Sequence, residues 1–288
     1  MKPGPFVHHG PRSITEAVDV LRAVGHDGKI LAGGQSLIPI LNMRLTNPGH
    51  LIDINGIPGL DRVEVTEAAV RVGALVRHAA LERDEPAYAA LPILRQATRC
   101  VAHPAIRNRG TTVGSITHAD VAGEMPTVAA FTEAVIEAVG PGGRREIAAA
   151  DFFEGPLETT LAPDEIVEAV RFGRLPAGTG TTFLESSRRK GDYALAGVAA
   201  GLTVVDGVAT GARASYVSVT TVPSVLDLTE AVAGREPGAI DWTELDDLVQ
   251  AHIAPEADIH ASADYRRMLA GELTRRAFAA LATQEGTR

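Results

Sequence analysis

The chain has 288 residues, 45% of them hydrophobic, a formal net charge of −9 and a pI near 5.5. This length exceeds the usual size of a single core, so we expect two or three lobes. An acidic chain lacks the basic face that binding to nucleic-acid phosphates requires. A site for an anionic cofactor must therefore be built locally, from main-chain amides and a few basic side chains.

The cysteine content sets a second limit. Cys100 is the only cysteine, which excludes an intramolecular disulfide and an iron–sulfur cluster held by this chain alone. The N-terminal residues lack the apolar stretch of a signal peptide, and no run approaches 18 apolar residues. We expect a cytoplasmic protein without a membrane span.

The first 55 residues predict a compact unit of strands and helices. Ser13 is suited to cap a helix over 15–24, and short strands are predicted at 29–31 and 51–54. Between the strands, Gly33-Gly34-Gln35-Ser36 leads into a short apolar helix. Its Pro39 falls in the first turn, where a missing N–H costs nothing.

This first glycine turn leaves the main-chain N–H groups of residues 33–37 without helical partners. A row of such donors suits a diphosphate, because the donors and their dipoles point at negative charge. A turn that merely connects a strand to a helix is the alternative interpretation.

Residues 60–175 mix strand and helix patterns and predict an α+β unit. Strands are expected at 63–65 and 70–72, a helix at 88–100, a helix near Thr127 and a hairpin through 141–143. A second glycine turn, Gly110-Thr111-Thr112-Val113-Gly114-Ser115, lies 77 residues after the first. The two turns together indicate a binding site, formed by two separate segments, for a phosphate-bearing cofactor.

The last third begins with the segment PAGTGTT, which predicts a linker between lobes. Strands at 196–205 and 208–220 flank Asp206-Gly207, a two-residue hairpin signal. Helical patterns follow at 225–233, 242–252 and 263–281.

Several motifs together resemble a known family. They are LAGGQSL (31–37), LIDI (51–54), VGA (72–74), RNRGTTVGSITHAD (107–120) and RRKGDY (188–193). In this order and spacing the chain resembles, over nearly its whole length, the flavin-binding medium subunit of the molybdenum hydroxylases. That group contains the carbon monoxide dehydrogenase and xanthine dehydrogenase flavoproteins.

The resemblance implies an α+β fold of the vanillyl-alcohol-oxidase type. Two FAD-binding subdomains, 1–56 and 57–176, would precede a C-terminal lobe, 177–288, with a three-stranded antiparallel sheet and helices. FAD would bind non-covalently in an extended form between the lobes.

The resemblance also implies the residues that contact FAD. The first turn would hold the diphosphate by its amides, the second turn would line the other side, Asp120 would accept from a sugar hydroxyl, and Lys190 and Tyr193 would lie near the isoalloxazine ring. The implied cofactor-binding residues are Ala32, Gly33, Gly34, Gln35, Ser36, Leu37, Gly110, Thr111, Thr112, Val113, Gly114, Ser115, Asp120, Lys190 and Tyr193. No catalytic side chain and no metal ligand is implied.

The resemblance implies that this chain carries the last electron carrier of a complex, from which electrons pass to an external acceptor. A large molybdopterin-binding subunit would oxidise the substrate, and a small subunit with [2Fe-2S] clusters would pass electrons to FAD on this chain, in a dimer of heterotrimers. The final acceptor, whether NAD, quinone, oxygen or another carrier, stays open. Alternatives are a self-sufficient flavin oxidase or reductase of the same fold and a flavin-free scaffold. No G-x-G-x-x-G follows a strand, which disfavours a Rossmann NAD enzyme.

The chain departs from the family pattern at two positions. Many relatives have a second glycine where this chain has Val113 and a proline where it has Val121. Because a Cβ restricts positive φ, we expect the path of the second turn to differ slightly at Val113.

Other polar residues near these motifs have open roles. His78 could reach the cofactor or cap a helix, and His118 could orient a hydroxyl or serve only as a structural donor. Arg107 and Arg109 could offset the diphosphate charge, although one of them is expected at the surface. The remaining expectations are a structural pairing of Asp192 with Arg188 or Arg189, solvated side chains at His8 and His9, and a core position for Cys100.

Overall fold

The computed structural model describes residues 2–285. The first sheet of the fold has three parallel strands. The strand order is β1-β3-β2. Ser13 caps the first helix by accepting a hydrogen bond from the Glu16 amide, as predicted. The elements of this part are β1 (Val7–His9), α1 (Ile14–Val24), β2 (Gly28–Leu31), α2 (Leu37–Met43) and β3 (His50–Asp53).

The second sheet has five strands that pair antiparallel. Its strands are β4 (Val63–Val65), β5 (Ala69–Gly73), β6 (Val135–Gly140), β7 (Gly143–Ala148) and β10 (Ile166–Gly173), and β8 (Phe153–Gly155) and β9 (Glu158–Thr159) form a separate pair. The order in the sheet is β4-β5-β10-β6-β7. Between β5 and β6 the chain forms α3 (His78–Arg83), α4 (Glu85–Ala90), α5 (Ile93–Thr98), α6 (Pro104–Arg107), α7 (Thr112–His118) and α8 (Glu124–Phe131).

The single helix expected at 88–100 is wrong. The chain forms α4 and α5, separated at Leu91 and Pro92. The residue before a proline is disfavoured in the helical region, and Leu91 adopts φ −151° and ψ 82°.

The third sheet has the order β11-β12-β13-β14 and carries helices on one face. Its strands are β11 (Thr179–Ser186), β12 (Ala196–Val205), β13 (Val208–Val217) and β14 (Val225–Asp227), and its helices are α9 (Thr229–Val232), α10 (Asp246–His252) and α11 (Ala263–Glu285). The expected three strands are present as three long ones, and the short β14 is a fourth. Two other expectations need correction: 225–233 is a strand and then a short helix, and the predicted linker is already strand from Thr179.

The two faces of the third sheet pack against two different buried cores. Ala199 and Val217 pack into the core shared with the first two sheets, whereas Val198 and Leu202 face a second core under α10 and α11. Side chains alternate between the faces of a strand, so the sheet joins both cores. Within residues 2–285, no helix has the length and apolar character needed to cross a membrane.

Candidate functional site

The two glycine turns are in direct contact. A Cβ built on Gly33 would lie 2.5 Å from the carbonyl oxygen of Arg109 and 2.8 Å from the Cα of Gly110. Real Cβ atoms do not approach backbone this closely, so only glycine allows the main chains to meet here. The turns are therefore two sides of one structure, although they are far apart in the sequence.

The first turn presents a row of main-chain donors. The N–H groups of residues 33–37 donate to no group in the described part of the chain. Gly34 adopts φ +70°, and the Gln35 side chain closes the turn by donating to the Gly33 carbonyl at 3.1 Å. Polar hydrogens at a protein surface without partners are available to a ligand.

The second turn is largely satisfied by its own surroundings. The Gly110 amide donates to Ile106, the Thr112 amide to Val76, and the Ser115 amide to the Thr111 carbonyl. The Gly114 amide donates to the Thr111 hydroxyl at 3.1 Å, which caps α7. Among residues 110–115 within the described chain, only the amides of Thr111 and Val113 lack a partner.

Val113 does not disturb the second turn. It lies in α7, has no positive φ, and its side chain is buried in the core shared by the first two sheets. Thr112 is also fully buried. Any ligand contact of these two residues is therefore limited to the main chain, and the structure gives no reason for a distorted path at Val113.

His78 supports the second turn from behind. It is 3% exposed, its amide donates to the Gly110 carbonyl at 3.0 Å, and its Nδ1 lies 3.3 Å from the Thr112 hydroxyl. Burial, followed by the charge of Arg107, lowers the pKa of His78 to about 4. Within the described residues the ring is hydrogen-bonded to the Thr112 hydroxyl and to no main-chain group of α3, so His78 is a neutral structural group.

Asn55 and Arg77, which the sequence analysis did not single out, connect the turns. The Asn55 side chain donates to the Ala32 carbonyl at 2.9 Å, and the Arg77 guanidinium donates to Asn55 Oδ1 at 2.6 Å and to the Arg109 carbonyl. Asn55 follows β3, which runs parallel to the strand before the first turn. The carboxyl ends of parallel strands share an edge of the sheet, and this signal could have identified Asn55.

Arg77 also places a positive charge beside the turns. Burial, and then the nearby charge of Arg109, lowers the pKa of Arg77, against a smaller opposing effect of Asp53. Two neighbouring guanidinium groups repel each other, and an anion between or beside them would relieve that repulsion. The electrostatics of this edge favour a negatively charged ligand.

Asp120 and Tyr193 lie together where the loop between β11 and β12 meets the loop after α7. Partial burial, and then the charges of Asp120 and Glu124, raise the pKa of Tyr193, although its ring is largely exposed. The Asp120 carboxylate also accepts from the Ala122 amide at 2.9 Å. Lys190 is exposed and forms no ion pair within residues 2–285.

Glu124 interacts electrostatically with this pair, and Glu185 and the lone thiol of Cys100 interact with Glu124. The sequence analysis missed both carboxyl groups. Burial raises the pKa of Glu124 to about 8, with the charges of Glu185 and Asp120 adding to it. Burial likewise raises the pKa of Glu185 to about 7, and its Oε2 is buried without a partner. Both groups can hold a proton near neutral pH. Glu124 could have been suspected because it closely follows the motif that ends at Asp120.

The remaining candidates have structural surroundings. Arg107 pairs with Glu82 at 3.0 Å, whereas the Arg109 side chain is exposed, which agrees with the expectation that one of the two lies at the surface. Asp192 pairs with neither arginine expected, since its side chain forms no ion pair within the described residues. The solvated pair expected at His8 and His9 is wrong in part: His8 contacts Asp53 at 3.3 Å and His9 contacts His50 at 2.9 Å.

His118 is the last residue of α7 and is partly exposed. Cys100 lies just after α5 and is only partly buried against the shared core, so the expected core position is met in part. No group of three or more His, Cys, Asp or Glu residues in 2–285 is arranged to hold a metal ion.

Fold and site together show paired glycine turns whose unpartnered main-chain donors suit an anionic ligand. Comparison with known proteins identifies the class. The model for the FAD binding domain in molybdopterin dehydrogenase matches residues 4–175, and the model for the CO dehydrogenase flavoprotein C-terminal domain matches residues 181–281. The chain therefore belongs to the family of FAD-binding flavoproteins of the molybdopterin dehydrogenases, and it is an oxidoreductase component.

Individual relatives agree with this assignment. The nicotine 6-hydroxylase medium subunit of Paenarthrobacter nicotinovorans is 39% identical, over 96% of this chain and 97% of the relative. The carbon monoxide dehydrogenase medium chain of Afipia carboxidovorans is 36% identical over 96% of both chains. In the structure of reconstituted CO dehydrogenase from Oligotropha carboxidovorans, a chain with 33% identity superposes with a TM-score of 0.94, over 98% of this chain and 99% of that one. The expected FAD-binding α+β fold is thus confirmed.

Proposed function

We propose that the chain is the FAD-carrying electron-transfer subunit of a molybdenum hydroxylase complex. It would take electrons from [2Fe-2S] clusters of a small subunit and pass them to an external acceptor. The observation that carries the proposal is the contact of the two glycine turns, beside which the amides of residues 33–37 donate to no other described group. A diphosphate supplies the acceptors that such a row needs.

Within this proposal each site residue has a role. Residues 32–37 hold the diphosphate through main-chain donors, and residues 110–115 line its other side, with the free amides of Thr111 and Val113 facing the ligand. Asp120 accepts from a sugar hydroxyl, because a carboxylate offers only acceptors. Lys190 and Tyr193 lie beside the isoalloxazine ring.

FAD, when bound, supplies a group that accepts and releases electrons singly or in pairs. The chain holds and tunes that group. Arg77 and Arg109 offset the diphosphate charge, Lys190 favours negative charge on the ring, and Tyr193 covers one face of it. Glu124 and Glu185, with raised pKa values, keep a proton available near neutral pH.

The proposed partners are a large molybdopterin-binding subunit and a small iron–sulfur subunit, assembled as a dimer of heterotrimers in the cytoplasm. Two findings support the partners: relatives along nearly the whole chain are named as medium subunits or medium chains, and one cysteine is too few for a cluster. The substrate pocket then belongs to another polypeptide.

The test begins with the purified full chain. We expect it to bind FAD non-covalently, so that acid or heat releases the flavin, and to co-purify with a larger and a smaller subunit when its neighbouring genes are expressed with it. A chain that takes up no FAD after reconstitution would support the flavin-free scaffold instead. Substrate oxidation by the chain alone would support the self-sufficient oxidase.

A further inference from the structure

A cavity of about 470 Å³ shares Lys190 with the proposed flavin site but shares no residue with either glycine turn. It is formed by α3, the end of α5, α6 and the loop that carries Lys190. Its charged and ionisable lining consists of Glu82, Arg99, His103, Arg107 and Lys190. Three cations and one carboxylate make this lining positive in a chain whose net charge is −9.

The single carboxylate is already engaged by one of the cations. Glu82 pairs with Arg107 at 3.0 Å, and the Arg107 guanidinium also donates to the carbonyls of Val101 and Ala102 at 3.0 and 3.2 Å. Arg107 is thereby fixed in the wall. Arg99 approaches Glu82 only to 3.9 Å and its side chain is 65% exposed.

Lys190 contributes a further positive charge and forms no ion pair within the described chain. Arg99 has only the long contact with Glu82, a carboxylate that also pairs with Arg107 at 3.0 Å. These cations around one concave space form a local anion site, whose attraction acts at short range, where the screened charge of the whole chain has little effect.

The position of the cavity links it to electron transfer. A Cβ on Gly191, the residue after Lys190, would lie 2.6 Å from the His103 ring and 3.1 Å from the Ala102 carbonyl. The third lobe therefore closes directly onto this wall of the second. The same loop continues to Tyr193, which lies beside Asp120 at the proposed flavin ring.

We propose that this cavity binds a phosphate, carboxylate or sulfonate group of a small anionic electron acceptor and so holds the acceptor next to the flavin. The inference rests on the proposed function and adds the chemical class of the acceptor. A bound reduced flavin, as FADH⁻, would lose two electrons and one proton to give FAD, and a quinone acceptor would take up those two electrons, that proton and one proton from water to give the hydroquinone. No bond to the chain forms or breaks.

The first test is a calorimetric titration of the FAD-loaded chain with inorganic pyrophosphate as the probe. Arg99→Glu should weaken binding about tenfold, because it reverses a charge at the cavity. Arg22→Glu is the matched control, since Arg22 is 64% exposed and also has one weak carboxylate partner, Asp19 at 3.5 Å. Its affinity for pyrophosphate should stay within about twofold of the wild type.

Three outcomes would overturn the proposal. They are no measurable binding of pyrophosphate by the wild type, equal binding by both variants, and release of FAD by pyrophosphate, which would assign the cavity to the flavin site. Failure to load FAD would instead contradict the proposed function. Differential binding to the chain without FAD would still support the anion site in that case.

The second test asks whether the cavity serves the acceptor. The chain's flavin is photoreduced, and its reoxidation is followed in a stopped-flow instrument with a sulfonated naphthoquinone or with the uncharged menadione. Arg99→Glu should slow the reaction with the sulfonated quinone about tenfold and leave menadione unaffected. An equal loss with both quinones, or a loss with neither, would contradict the proposal.

Discussion

The two glycine turns touch each other but use their main-chain N–H groups differently. In the first turn the amides of residues 33–37 have no acceptor in the described chain, whereas in the second turn most are bonded to Ile106, Val76 and Thr111. The first turn can thus give its donors to a ligand without losing an internal bond. The second turn is a rigid support against which the first is placed. Two similar sequence motifs can thus have different roles: one offers donors to a ligand, and the other supports its partner.

The largest effect is expected from a substitution that disrupts the contact between the two turns. Gly33→Ala places a Cβ 2.5 Å from the Arg109 carbonyl, so the turns must separate and the first turn must lose its position. We expect the dissociation constant for FAD to rise at least 100-fold, about 3 kcal/mol, measured by fluorescence titration. Gly238→Ala is the control, because its Cβ would meet nothing within 4 Å. Equal FAD affinity in the two variants would mean that the contact does not shape the site.

A second prediction concerns the support behind the second turn. His78 has a pKa lowered to about 4 from its usual 6.5, first by burial. Between these values the unfolded chain binds more protons, so the free energy of unfolding falls as the pH drops from 6.5 to 4, by on the order of 3 kcal/mol. The contribution of neutral His78 to the free energy of unfolding is fully present above pH 6.5.

His78→Gln removes this titration and should flatten the pH dependence of urea unfolding over that range. The exposed His26 gives the control variant His26→Gln, which should keep the wild-type slope. If His78→Gln also keeps it, His78 does not stay neutral in the folded chain.

The smallest effect is expected from a substitution in the second turn, and it tests whether that turn only supports the first. Thr111→Val removes the hydroxyl that accepts from the Gly114 amide, which should lower the free energy of unfolding by about 1 kcal/mol, as for other helix N-caps. Thr111→Ser should retain most of the stability. Because the second turn braces the first, FAD affinity should fall only a few-fold, and a loss as large as that of Gly33→Ala would contradict the assigned roles.

Much of the fold could be predicted from local signals. The cap at Ser13, the turn at Asp206-Gly207 and the strand Val63–Val65 are where the sequence placed them. The expected helix at 225–233 failed because a long-range partner decides that segment. Val225–Asp227 pairs with the edge of β13, and this pairing overrides a local apolar pattern that also suits a helix.

The site shows the same limit. Free amides at 33–37 follow from two glycines before a helix, so the sequence alone predicted them. The bonded amides of the second turn depend on where Val76 and Ile106 lie, and the Asn55–Arg77 link depends on the meeting of separate elements. Such features arise from tertiary packing, which single motifs do not specify.

Cys100 gives the molecule an intrinsic reporter. Burial, and then the charges of Glu185 and Glu124, raise the pKa of its thiol to about 12, and only the thiolate reacts with alkylating reagents. The native protein is therefore slow to be labelled, whereas a chain that opens regains an ordinary thiol. The rate of iodoacetamide incorporation consequently reports openings of the interior around Glu124 and Glu185, without any engineered probe.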